Sequence, residues 1–389
     1  MASLLLAIIY LAFISLGLPD SLLGSAWPSM YQELEASVSW AGIISMIISG
    51  STIVSSLFSG KVIGKLGTAK VMVLSTAMTA LALMGFSMSR KFFHLCLWAV
   101  PYGLGAGSVD AALNNYVALH YRSRHMSWLH CFWGLGATMG PYIMGWCLTR
   151  GLSWNTGYQI VGIIQIVLTT ALFASLPLWK GQPDTAQQGK GARHEMTIRD
   201  TVGLPGAKAL LVAFFCYSAL EATAGMWASS YMVLARGISE KTAAKWASLF
   251  YMGITLGRLA SGFITERLGD RSMVRLGQIL AGAGVVCLLI PGGSQFLTAG
   301  LLLTGIGCAP IYPCLLHSTP GFFGAENSQS IMGILMAFAY VGSTFMPPLF
   351  GVIGEQVSIQ LYPVCLLFFV ALMALMSEQV NRRRRAQER

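Results

Sequence analysis

Residues 261–272 read "SGFITERLGDRS", and residues 59–70 read "SGKVIGKLGTAK". Ser261-Gly262 stands on Ser59-Gly60 and Leu268-Gly269 on Leu66-Gly67, at a constant offset of 202 residues. Each copy closes an apolar run of about 20 residues, enough to cross a bilayer. The same offset lays "TGIGCA" (304–309) on "YGLGAG" (102–107), and a slightly larger one lays "TFMPP" (344–348) on "TMGP" (138–141). A repeat of apolar spans decides the fold class. It predicts an all-α membrane protein of two pseudo-symmetric six-helix bundles. Secondary transporters have this architecture, with the solute site near mid-depth where the repeats meet.

Twelve apolar runs support that reading: 4–30, 40–62, 70–89, 93–119, 127–149, 158–179, 208–235, 244–265, 273–292, 296–317, 328–353 and 357–378. The polar segment 180–207 follows the sixth. The expected divisions are an N-terminal bundle over 1–179, a cytoplasmic linker over 180–207, a C-terminal bundle over 208–379 and a basic tail over 380–389. Composition agrees, with 55% hydrophobic and only 10% charged residues. Soluble domains carry roughly 25% charged residues. The first run is too long for a signal-peptide core, so no removable leader is expected. The eight cysteines fall mostly in apolar runs and form no CxxC pair, so no disulfide framework or metal site is expected.

The net charge of +10 is an orientation signal. Eighteen Lys and Arg flank the side holding both termini, six flank the other, and Arg258 lies within a span. By the positive-inside rule the termini are cytoplasmic. No folded basic module exists to bind nucleic acid. Short loops and the absence of any N-x-S/T sequon favour a bacterial inner membrane.

"GFITERLGDR" (262–271) resembles the loop pattern of the major facilitator superfamily between helices 8 and 9. The first-half copy is degenerate, with Gly64 where an acid is usual. "GLPDSLLGSAWP" (17–28), "GLGAGSVDAALNN" (103–115), "LHCFWGLGATMGP" (129–141) and "EATAGMW" (221–227) are similar to the fucose–galactose–glucose:proton symporter branch and related sugar transporters. The resemblance covers the whole chain.

Three acids lie well inside spans: Asp20, Asp110 and Glu221. A charge at that depth is costly, by about 2.5–3.5 kcal/mol on insertion scales. Arg258, the one basic residue within a span, is read toward the cytoplasmic end, where it cannot neutralise three separated carboxylates. Protonation is the cheaper solution, because burial disfavours the charged form. A carboxyl that is neutral when occluded and ionised when open is a proton carrier. The resemblance implies the same: acids on helices 1 and 4 of the symporter branch couple proton movement to sugar binding. Asp20 and Asp110 occupy those motif positions, with Asp110 where the branch often has Glu. Sodium is the rival ion, since Asp110 and Asn114 at i, i+4 share a helix face. Helix-packing hydrogen bonds are the inert alternative.

A sugar needs amide or carboxylate partners for its hydroxyls and an aromatic face for its ring. The candidates are Asn114, Asn115, Gln165, Trp133, Trp227, Tyr312, Tyr340 and His130. Asn115 points about 100° away from Asn114, so one of the two faces the site. His130 and His317 lie near helix ends and also read as gate or cap residues. Glu266, Arg267, Asp270, Arg271 and Arg258 are expected to form a cytoplasmic charge lock. "GLGAG" has no preceding strand and reads as helix packing rather than a dinucleotide loop. No HExxH, GxSxG or P-loop occurs, and "HEMTIR" (194–199) lacks the second His, so an enzyme or ATP-driven pump is excluded.

The sequence thus predicts a proton-coupled secondary transporter of a small polar solute, a sugar first, working by alternating access as a monomer without cofactor. Open beside it are a drug or organic-cation/proton exporter and a sodium-coupled sugar transporter. With no cation read at mid-depth, an organic anion is disfavoured.

Overall fold

The computed structural model describes residues 2–20, 22–37, 40–179, 198–238 and 240–387. Residues 180–197 of the expected linker and 388–389 of the tail lie outside the described residues. Among the described residues there is no strand. The long helices are α1 (Ala2–Gly17), α2 (Leu22–Glu33), α3 (Ala41–Leu66), α4 (Thr68–Ser87), α5 (Phe92–His120), α6 (Ser123–Thr149) and α7 (Trp154–Ala174). After the short α8 (Ile198–Gly203) come α9 (Ala207–Arg236), α10 (Glu240–Leu268), α11 (Asp270–Leu289), α12 (Ser294–Phe323), α13 (Ser328–Ile353) and α14 (Tyr362–Gln387).

Each of the twelve expected spans falls on helix, the first on α1 and α2 together. Among the described residues ten stretches are long and apolar enough to cross a membrane; the last, Ser328–Arg383, holds both α13 and α14. The helix α6 is long enough but carries Arg124, His125 and His130 in its first turns.

The first span is broken rather than bent. Pro19 has no N–H to continue the ladder. The helix therefore stops at Gly17 and restarts at Leu22, with Asp20 N–H turned back to the Gly17 carbonyl at 3.1 Å. Broken helices at membrane depth mark transporter sites, because the interrupted backbone and its side chains face a cavity.

The chain forms two compact units. The first comprises residues 2–116, 129–179 and 325–333; the second comprises 117–128, 198–324 and 334–387. Each unit thus takes a short segment from the opposite sequence half.

The repeat is visible in the packing, residue by residue. In the first unit, a Cβ at Gly103 would strike the Ile48 carbonyl of α3, and one at Gly105 would come within 2.6 Å of the Ser75 carbonyl of α4. In the second unit Gly305 meets the Phe250 carbonyl of α10, and Gly307 meets the Gly277 carbonyl of α11 at 2.6 Å. All four pairings correspond at the offset of 202. So do Gly60 against Ser330 in the first unit and Gly262 against Trp128 in the second. The turn glycines agree as well: Gly67 has φ 80° and ψ 156°, Gly269 has φ 74° and ψ 157°. That backbone conformation is one only glycine adopts freely.

Lipid gives helices no hydrophobic reason to associate, so small residues and interhelical hydrogen bonds take over. Around the first glycine seam Thr52 Oγ1 donates to the Gly103 carbonyl at 3.1 Å and Ser55 Oγ to the Leu104 carbonyl at 2.5 Å.

Candidate solute and coupling site

In the first unit the break between α1 and α2 presents the Asp20 carboxylate. Tyr102 of α5 donates its hydroxyl to Oδ1 at 3.0 Å, and Trp133 of α6 donates Nε1–H to Oδ2 at 2.9 Å. Three elements thus converge on one carboxyl, which is nevertheless exposed. Two uncharged donors hold it without neutralising it, and it stays accessible to a solute or a proton.

A second acid lies deeper. Asp110 is buried, and Asn114 Nδ2, one turn along α5, donates to its Oδ1 at 2.8 Å and to its carbonyl at 2.9 Å. The amide nitrogen must face the carboxylate, so Asn114 Oδ1 turns the other way. It meets His130 Nε2 of α6 at 3.0 Å, and His130 packs edge-on against Phe13 of α1 at 5.6 Å. An amide oxygen only accepts, so His130 carries its proton on Nε2. His130, Asn114 and Asp110 form one hydrogen-bonded chain. The neighbouring Asn115 is buried with its Oδ1 lacking a hydrogen-bond partner. Gln165 is held elsewhere, its amide donating to Thr79 Oγ1 of α4 at 2.9 Å.

In the second unit Glu221 of α9 meets Arg258 of α10: Arg258 Nη2 donates to Glu221 Oε1 at 3.1 Å. This differs from the sequence expectation, which placed Arg258 toward a helix end within a charge lock. The two helices form an antiparallel hairpin. Glu221 lies 15 residues before its turn and Arg258 18 residues after the start of α10, so they stand at nearly one height. Trp227 Nε1 donates to the Pro347 carbonyl of α13 at 2.9 Å, with the ring against Phe350. Tyr312 stands between Phe214 and Tyr217, at ring distances of 5.4 and 5.3 Å. Tyr340 is half-buried on α13.

Glu266, Asp270 and Arg271 of the repeat motif meet partners outside it. Glu266 pairs with Arg122 at 3.5 Å and Arg124 at 3.3 Å, both at the α5–α6 turn, a segment of the same unit. Arg124 Nε also donates to His125 Nε2 at 3.2 Å, which only a neutral ring can accept. Burial, then the charge of Arg124, pushes that imidazole below its usual range. Asp270 accepts from Ser123 Oγ and from His317 Nδ1, the latter at 2.6 Å, while His317 Nε2 donates to the Tyr121 carbonyl at 3.0 Å. Both partners of that ring only accept, so the doubly protonated imidazolium satisfies both. Arg271 lies 3.7 Å from Glu378, and Arg267 is exposed.

Replacing His317 by Phe should therefore lower stability by about 1.5–3 kcal/mol, the loss of a charge-assisted hydrogen bond. A thermal melt of detergent-solubilised protein reads this, and an unchanged melting temperature would show the clasp carries no energy.

The sequence reading missed Tyr102. The available signal was its place in "PYGLGAG", on the span already singled out for Asp110. It also did not pair Glu221 with Arg258, although counting outward from the α9–α10 turn would have done so.

The model of the family described as Major Facilitator Superfamily matches residues 9–244 and 209–388. The chain is 21% identical to an uncharacterized MFS-type transporter of Yersinia pestis, covering 88% of this chain and 86% of that protein. It is 23% identical to the cis,cis-muconate transport protein of Acinetobacter baylyi, over 69% and 68% of the two chains. It is 20% identical to the glucose/mannose transporter GlcP of Bacillus subtilis, over 79% and 77%. Among solved structures, FucP in the outward conformation superimposes with a TM-score of 0.79 at 16% identity, covering 97% of this chain and 98% of that one. The human organic anion transporter MFSD10 gives 0.76 at 17% identity, over 96% and 98%.

Proposed function

Because the chain belongs to the Major Facilitator Superfamily, and is an integral membrane transporter rather than an enzyme, we propose that it carries a small hydroxylated solute, of the sugar class, coupled to protons by alternating access. The observation that carries this reading is Asp20. It is an exposed carboxylate at a helix break, held by two neutral donors and paired with no cation by either. Such a group accepts hydrogen bonds from solute hydroxyls when ionised and takes up a proton when occluded. The names of GlcP and of the E. coli fucose:proton symporter FucP fit the same chemistry.

The orientation of Asn114 favours protons over sodium. Asn114 turns its NH2 toward Asp110, so the pair does not offer two oxygens to a cation. Both termini then face the cytoplasm, by the distribution of Lys and Arg.

The test is direct. Purified protein in liposomes with an internal pH dye should acidify the lumen when solute is added outside, and uptake should fall as the external pH rises. Export of a dye cation, with no acidification by any hydroxylated solute, would overturn the reading. Replacing Tyr102 by Phe removes one donor from Asp20 and should weaken solute affinity about 5- to 10-fold, the value of one such hydrogen bond. Saturation of uptake by the same vesicles measures it, and unchanged affinity would remove Tyr102 from the site.

A further inference from the structure

The offset of 202 lays Glu221 on Pro19, beside Asp20. Each half therefore carries an acid at the same level of its first long helix, but the two meet different partners. Asp20 meets a phenol and an indole; Glu221 meets a guanidinium. The pair is also lopsided. Arg258 keeps 6% of its side chain accessible and Glu221 27%. The carboxylate is the open member and the guanidinium lies behind it.

A purely structural pair explains this poorly. Buried ion pairs add little stability compared with apolar residues of the same volume, and an arginine within a span is costly to insert. Around the pair stand Tyr217 one turn back on α9, Tyr251 on α10 and Cys308 on α12, all within electrostatic reach of Glu221, and Tyr362 of α14 beyond them. None of these supplies a second cation. Arg258 is the one Lys or Arg well inside a predicted span, the others within these bounds standing no more than two residues from a span's end.

We propose that Glu221 and Arg258 form a carboxylate-exchange site, and that the solute is a small hydroxylated carboxylic acid, a sugar acid rather than a neutral sugar. The inference rests on the proton-coupled reading above. The one coupled proton, taken up from water by way of Asp20, adds to Glu221 and cancels its charge. Arg258 loses its counter-ion, and the solute carboxylate replaces it, with two parallel N–H···O bonds to the planar fork. Departure of the solute and of the proton restores the original pair. One proton and one carboxylate move together, so the cycle carries no net charge. A neutral sugar with one proton would carry one positive charge. The name of the cis,cis-muconate transport protein shows that a relative carries a carboxylate.

The experiment uses the full chain in liposomes with an internal pH dye, in parallel with the same vesicles on a current-recording support. Glucuronate and gluconate are compared with glucose and fucose, and protein-free vesicles correct for leakage. The acids should acidify the lumen without a transport current, and the neutral sugars should do neither. Arg258→Lys should weaken acid binding roughly 10- to 100-fold, since the point charge lacks the fork. Glu221→Gln should leave acid binding that no longer varies with pH, read by tryptophan fluorescence; a merely structural pair would not alter that profile. Acidification and current from neutral sugars alone would overturn the inference and leave the proton-coupled reading standing. Acidification by no solute would overturn both. Should Arg258→Lys fail to fold, the presence or absence of current with the native chain still decides.

Discussion

Replacing Asp20 by Asn is expected to abolish uphill accumulation while solute exchange without a gradient continues. The substitution is close to isosteric, and the partners tolerate it for a specific reason. Trp133 Nε1 only donates, so the amide oxygen must face it; the amide nitrogen then faces Tyr102, whose hydroxyl can accept as well as donate. The hydrogen bonds survive and the titratable group does not. A pH difference of one unit supports about tenfold accumulation at one proton per solute, since 1.4 kcal/mol is a factor of ten. The variant should hold that ratio near unity. Counterflow of labelled solute between equal pools should persist, within about tenfold of wild type. Asp110→Asn is the companion: Asn114 Nδ2 can still donate to the new amide oxygen, so the hydrogen-bonded chain keeps its shape. Survival of uphill accumulation in both variants would remove the two acids from coupling and leave Glu221 as the remaining intramembrane acid.

Much of this arrangement is legible in the sequence, and the reasons differ by residue. The spans are legible because lipid demands continuous apolar helix. The repeat is legible because the glycines at 103, 105, 305 and 307 are forced by backbone contact, so they persist in register where larger residues have drifted. The break at Pro19 is harder to read. Proline predicts a lost hydrogen bond, but whether a helix bends or stops depends on what the freed backbone meets. Pairings across helices are harder still. His130 with Asn114 and Glu221 with Arg258 follow from counting residues away from a hairpin turn, yet the count gives height and not rotation. That Asp20 faces Tyr102, 82 residues away, depends on how α1 and α5 pack in three dimensions, which no local pattern encodes.

The second large effect is expected at Gly305. An added Cβ there would strike the Phe250 carbonyl of α10 and come within 3.1 Å of the Ile254 amide. Both neighbours are backbone, so neither can rotate aside. The reciprocal glycine, Gly253, meets the Leu302 carbonyl and the Ile306 amide of α12 in the same way. Gly305→Ala should cost about 1–3 kcal/mol through overpacking, and Gly305→Leu should exceed what the fold tolerates. The repeat sharpens the prediction. Gly103 meets the Ile48 carbonyl at the equivalent place, so Gly103→Leu should fail equally, although the two sites share no neighbours. Gly64, with nothing within 4 Å of an added Cβ, is the control: Gly64→Ala should be neutral or stabilising by up to about 1 kcal/mol. A thiol-reactive fluorogenic dye provides the measurement, because Cys147, Cys216, Cys308 and Cys314 are free and buried and react only on unfolding. Native-like melting of Gly305→Leu would mean that α10 and α12 do not meet backbone to backbone. A failure at Gly305 without one at Gly103 would mean that the two halves no longer share the constraint that their sequences preserve.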